Sequence, residues 1–282
     1  MQRVDFIIIG AQKSGTTSLA YQLAQHPQIC FCQKKEPHFF SRSFDWQNRL
    51  TEYHQLFSPI DSQICGEAST SYTFRPAYPH TPAHLYAYNP YLKFIYIMRD
   101  PVKRIESHFN HRRIMERVQA PPEIEVFREP GYIERSRYGY QLEPYLALFS
   151  QQNILPLCFE EFVDSPAEIF NQITSFLGIS FYDFHQVDKT PQNVSTKQIF
   201  LRKRVRRMVK TTIGHMLLKY LPTQLKLWGR GLVYTKLPTV TKFEQPLQKK
   251  LWSILEEDVT KIEALLERRL DIWRQAHKKF GT

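Results

Sequence analysis

The chain has 282 residues, 42% of them hydrophobic, and 38 Lys and Arg against 27 Asp and Glu give it a formal net charge of +11. That length and apolar content suit a globular protein of one large domain or two small ones, and the lack of an apolar run of about eighteen residues excludes a membrane-spanning helix. The charge is unevenly placed: thirteen Lys and Arg and no Asp or Glu lie from Lys189 to Lys242, so no nucleic-acid footprint over the whole surface is required.

Residues 4–9 read as a buried strand running into a glycine loop, and 16–25 as the helix after it, with Thr16, Thr17 and Ser18 at its start and Pro27 beyond its end. A short strand at 29–32, a helix at 46–57 and a strand at 64–67 follow. A proline-punctuated stretch then has room for one short helix. Residues 93–98, "KFIYIM", form the second clear strand, and a helix starts just past Pro101 and reaches about residue 118. Residues 119–131, "QAPPEIEVFREPG", read as a loop. A helix at 139–149, a strand at 154–158 and a helix at 166–177 ending at Gly178 come next. Residues 247–273 form a long amphipathic helix or a pair. Strands alternating with helices predict an α/β fold, a central parallel sheet with helices on both faces.

Cys30, Cys32, Cys65 and Cys158 show neither disulfide nor zinc spacing, which suits a reducing compartment. The N-terminal apolar run is only strand-length and shows no secretory pattern, so the expected location is cytoplasmic.

Strand, G-x-x-x-x-G, helix is the outline of a phosphate loop, and Gly10 and Gly15 have that separation. Such a loop turns backbone N–H groups and a helix start toward an anion. The lysine, however, is Lys13, inside the loop, and Thr16 stands where a triphosphate loop needs its lysine. Arg99 and Asp100 follow the second strand; an arginine there attracts an anion rather than magnesium. Arg99 would emerge at the carboxyl edge of the sheet, where open α/β folds bind ligands. Ser107 would lie about two turns into the next helix, with Asp100 as its cap. Two anion sites at one sheet edge suggest a nucleotide with phosphates at both ends of its ribose.

In this order the pieces resemble the sulfotransferase family that uses 3'-phosphoadenosine 5'-phosphosulfate. "AQKSGTTSL" looks like its 5'-phosphosulfate loop, and Arg99 with Ser107 looks like its 3'-phosphate motif. "KKEPHFF", "GEASTSY", "RYGYQLEPYLALF" and "ILPLCFEEFVDSPAEIFNQITSFLGI" resemble segments of the branch that includes bacterial enzymes and the heparan sulfate sulfotransferases. The similarity covers most of residues 4–185 and resumes in the last thirty.

The resemblance implies a single three-layer, P-loop-like sulfotransferase domain over residues 1–282, with 189–245 a variable basic region and 246–282 a C-terminal helical segment. It implies sulfuryl transfer from 3'-phosphoadenosine 5'-phosphosulfate to a hydroxyl or amine, no metal, and release of 3'-phosphoadenosine 5'-phosphate. A non-catalytic nucleotide-binding module would keep the same phosphate motifs. The implied cofactor contacts are Lys13, Ser14, Gly15, Thr16, Thr17, Ser18, Arg99 and Ser107, with Arg137 or Tyr138 beside the nucleotide. Lys13 would stabilise charge on the leaving phosphate, Glu36 matches the family's general base, and His38 is the rival base. Glu67 would support Lys13 or the acceptor, or cap a strand end in solvent; Ser69 and Thr70 are further candidates for ligand contact. Ala68 stands where glycan-sulfating members with a catalytic lysine carry it. The acceptor stays open between a small molecule and a glycan, anionic or not.

The basic run "FLRKRVRRMVK", 200–210, has three readings: a solvated helix face, a surface for an anionic acceptor, or a peripheral contact with an acidic membrane. No nucleic-acid motif accompanies its charge, so a nucleic-acid partner is not expected.

Overall fold

A computed structural model describes residues 3–182, 200–201, 234–235 and 240–278. The chain divides into two compact units. The first comprises Met1–Phe109, Ala120–Gln192 and Lys242–Thr282; the second comprises Asn110–Gln119 and Asn193–Thr241. In the second unit Phe200–Leu201 pairs antiparallel with Tyr234–Thr235. The side chains of the basic run at 200–210 lie outside the described residues, and so do the three readings attached to it.

The first unit is built on a five-stranded sheet in the order β2-β3-β1-β4-β5. Its strands are β1 (Phe6–Gly10), β2 (Ile29–Phe31), β3 (Ile64–Ala68), β4 (Lys93–Met98) and β5 (Ile154–Cys158). Every pairing is parallel. Side chains alternate faces along a strand, and here both faces are buried. Ile7, Ile9, Phe94, Tyr96 and Met98 join one core cluster. Phe6, Ile8, Ile95, Ile97 and Leu157 join the other. The strands therefore read as unbroken apolar runs, as they do when helices cover both sides. The outer strands are three-residue β2 and β5, which contains Pro156.

Helix α1 (Thr16–Leu23) lies on the second face with Leu19 and Leu23 in its core. Two short helices, α2 (Phe39–Arg42) and α3 (Leu50–His54), follow on the first face. Next come a 3₁₀ turn (Thr70–Thr73) and α4 (Thr81–Tyr88). Helix α5 (Pro101–Met115) begins at Pro101, and Asp100 Oδ1 accepts the N–H groups of Val102 and Lys103 at 3.0 Å each, as the cap expected of it.

The stretch expected as a loop at 119–131 instead holds α6 (Pro122–Arg128) and α7 (Gly131–Glu134). Proline at a first helical turn costs no hydrogen bond, and Glu123 and Glu125 in that turn suit the helix dipole. Its prolines start a helix rather than break one.

Helix α8 (Tyr138–Leu146) is followed by α9 (Phe159–Asp164), which the sequence reading missed, and by α10 (Pro166–Leu177), closed by Gly178 at φ 77°. The expected long C-terminal helix is a pair, α11 (Gln245–Leu266) and α12 (Asp271–Lys278). Asp258 of α11 caps α8, accepting the N–H groups of Gly139 and Tyr140 at 2.9 Å each. Among the described residues no helix is long and apolar enough to cross a membrane.

Candidate active site

The chain leaves β1 for the β2 side of the sheet and later crosses to β4 on the other side. The carboxyl ends of β1 and β4 therefore flank a topological switch point, where such sheets bind ligands. Ala11 N–H donates to Ile97 O at 2.7 Å, which fixes the start of the glycine loop against β4. Thr73 Oγ1 donates to Ile9 O at 2.8 Å from the other side.

The loop itself is tightly built. A Cβ on Gly10 would come within 2.5 Å of Thr73 Oγ1, and one on Gly15 within 2.8 Å of the Phe159 ring. Gly15 has φ 87° and takes the place before α1, so no side chain caps the helix and its first N–H groups stay available to a ligand. Lys13 holds φ 73°, a region a side chain seldom adopts. Thr16 is buried; Thr17 and Ser18 are half-buried on the first turn of α1.

Arg99 follows β4 directly. Its carbonyl accepts the Tyr138 hydroxyl at 2.6 Å, and its guanidinium lies 4.9 Å from the Phe159 ring centre. Phe159 thus packs against both the Gly15 turn and Arg99. Tyr138, expected beside the nucleotide, is fully buried and holds the Arg99 backbone. Arg137 lies with Glu134 at 3.5 Å and over the Tyr140 ring. Ser107 is half-buried on α5, one turn past Arg104.

Arg104 was not singled out in the sequence. It is fully buried, donates to Tyr132 O at 2.6 Å and Gln12 O at 3.4 Å, and bonds Ser136 Oγ. Its positive charge therefore stands behind the glycine loop, held by neutral oxygens. Burial lowers the Lys13 ammonium to about 8, with Arg99, Arg104 and Lys35 adding repulsion and Glu36 opposing them. Lys13, Arg99, Arg104, Lys35 and Glu36 thus share one electrostatic neighbourhood.

Glu36 and His38 lie between β2 and α2, with φ 49° and 55°. His38 Nε2 is 3.3 Å from Glu36 Oε2, and Thr70 Oγ1 donates to the same oxygen at 3.4 Å. Burial, then Arg42 and Lys34, lower the imidazole to about 4. The ring is therefore neutral at neutral pH, and its Glu36 contact is a hydrogen bond rather than an ion pair. With Nε2 donating to Glu36, Nδ1 accepts from Ser71 Oγ at 2.7 Å. Burial raises the Glu36 carboxyl; Lys35, Thr70, Arg42 and Lys13 oppose the rise.

Glu67 is not an exposed cap. It is fully buried, and Tyr53, Tyr72 and Ser69 donate to it at 2.7, 2.8 and 2.7 Å. Ser69 Oγ in turn accepts the His38 backbone N–H at 3.0 Å. Glu67 thus anchors the segment that carries Glu36.

Anion chemistry fits this cradle. Among the described residues, the buried Ser14 Oγ and Arg99 Nε have no hydrogen-bond partner. Both sit on the two loops at the switch point, and such donors are otherwise almost always paired.

The sulfotransferase domain family matches residues 3–220. The chain belongs to that family. Among sulfotransferases, mouse heparan sulfate glucosamine 3-O-sulfotransferase 3A1 is 31% identical over 188 residues, covering 61% of this chain and 45% of that protein. Mouse bifunctional heparan sulfate N-deacetylase/N-sulfotransferase 4 is 28% identical over 202 residues, 62% of this chain and 22% of that protein. The match thus spans less than half the length of these two relatives. The crystal structure of a sulfotransferase from Alicyclobacillus acidocaldarius has a TM-score of 0.68 at 26% identity, covering 97% of this chain and 100% of that one.

Proposed function

We propose that the chain moves a sulfuryl group from 3'-phosphoadenosine 5'-phosphosulfate to an acceptor hydroxyl on a small molecule or glycan. The observation that carries this reading is the shared neighbourhood of Lys13, Arg99 and Glu36 at the switch point: two cations and a half-buried carboxylate of raised pKa.

Lys13, Ser14 and the N–H groups of Gly15, Thr16, Thr17 and Ser18 would hold the 5' end of the cofactor; Arg99 and Ser107 would hold its 3'-phosphate. When bound, the cofactor supplies an electrophilic sulfuryl group on a phosphate leaving group. Lys13 and the loop N–H groups meet negative charge as it gathers on that phosphate. Glu36 takes the acceptor's proton. His38 and Thr70 engage Oε2, so Oε1 is the oxygen for that proton. The neutral imidazole orients the carboxylate and needs no charge to do so.

The test is calorimetric titration with 3'-phosphoadenosine 5'-phosphate without magnesium, beside ATP. Selective binding of the 3'-phosphorylated nucleotide supports the reading; preference for ATP with magnesium would sink it. Glu36→Gln is expected to bind that nucleotide as the parent does and to lose roughly 10²–10⁴-fold in turnover.

A further inference from the structure

The loop that carries Arg99 is held by the last helix of the chain. On α12, Trp273 and His277 stand one turn apart and are both buried, while Asp271 and Lys278 are exposed. Trp273 Nε1 donates to Glu160 Oε2 at 3.0 Å, and Glu160 Oε1 accepts the Asp100 N–H at 3.0 Å. His277 Nε2 lies 2.8 Å from Asp100 Oδ2. The other oxygen, Oδ1, is committed to the first N–H groups of α5. His277 also stacks on Trp252 of α11, ring centres 4.4 Å apart, which fixes the imidazole.

Asp100 is buried and immediately follows Arg99. A buried carboxylate seeks the nearest cation, because the cost of leaving it unpaired is high. Here both of its oxygens are engaged away from that guanidinium, and Arg99 Nε keeps no partner among the described residues. We infer that α12 is a positioning element of the second anion site: through His277 and Trp273 it holds Asp100 toward α5, so that Arg99 is kept for the nucleotide's 3'-phosphate. Neither residue lies within the stretch matched by the family, residues 3–220. The inference rests on the proposed cofactor reading.

The experiment compares two nucleotides that differ in the 3'-phosphate alone, 3'-phosphoadenosine 5'-phosphate and adenosine 5'-phosphate, titrated into the parent, His277→Ala and His277→Gln. Losing a hydrogen bond to a charged group predicts that His277→Ala weakens the bisphosphate by roughly tenfold. Binding of the 5'-monophosphate is expected to stay within about twofold, since it lacks the phosphate that Arg99 would hold. His277→Gln, whose side-chain amide can donate to Asp100, is expected to recover bisphosphate binding to within about threefold. Equal weakening of both nucleotides, or no change in either, overturns the inference while leaving the cofactor reading intact. A parent that binds neither nucleotide overturns both. If His277→Ala does not fold, Trp273→Phe, which removes the donor to Glu160, is read by the same ratio of the two affinities.

Discussion

At the scale of single residues, the site separates two protonation states. Glu36 must be ionised to accept a proton, and burial raises its carboxyl above the usual 4.5. Lys13 must be charged to meet the leaving phosphate, and its ammonium is lowered to about 8. kcat/KM, which reports the free enzyme, is therefore expected to rise with pH through the raised Glu36 value and fall again near 8. Lys13→Arg should remove the alkaline fall within the measurable range, since a guanidinium stays charged there. A profile whose alkaline limb is unmoved by that substitution would detach Lys13 from the chemistry. Lys13→Ala is expected to lower kcat by about 10²-fold, the usual cost of losing one donor to a developing anion. His38→Ala should leave nucleotide affinity unchanged and lower kcat, through the lost orientation of Glu36.

At the scale of elements, the Gly15 turn and the buried Glu67 carboxylate bear on stability. Gly15→Ala forces a Cβ into the Phe159 ring at a φ of 87°. A loss on the order of 1–3 kcal/mol in stability is expected, measurable as a lower denaturant midpoint, together with weaker nucleotide binding. Glu67 carries a stability signature of its own. Burial raises its carboxyl from 4.5 to about 7, against the pull of Ser69, Tyr53 and Tyr72. Between those values the native state holds a proton that the unfolded state has released, so stability falls as pH rises through that window. Thermal melts should show this fall in the parent, and Glu67→Gln should flatten it; an equal slope in both would remove Glu67 as its source.

The elements also show what local sequence can disclose. The spans of β4, β5 and α10 follow directly from unbroken apolar runs and from a proline start with a glycine stop. The glycine loop is equally legible from its spacing between strand and helix, and so is the place of Lys13 and Arg99 just past the ends of β1 and β4. The burial of Glu67 is not legible locally, because the groups that bond it, Tyr53 and Tyr72, come from α3 and the 3₁₀ turn. Arg104 sits among other charges in α5, with nothing local to mark it as the buried one. The pairing of Asp100 with His277 joins residues 177 positions apart, a separation no periodicity encodes.

At the scale of the whole molecule, the crevice at the switch point gathers Arg99, Arg104 and Lys35, with Glu36, around Lys13. A cleft lined by one sign of charge draws in oppositely charged ligands, and salt screens that attraction over about 8 Å at physiological strength. Raising sodium chloride toward about 0.5 M is thus expected to lower kcat/KM for the nucleotide several-fold and to affect kcat much less. A salt-independent kcat/KM would place the captured anion outside this crevice. The sheet's flanks have a different consequence, for crowding at high concentration. An outer strand offers a row of main-chain groups on which another copy can zip, and proteins blunt such rows by shortening them or placing proline in them. One flank here is the three-residue β2, and the other carries Pro156. Pro156→Val restores a main-chain donor to that flank, so a variant that folds and binds nucleotide normally should still scatter more light as it is concentrated.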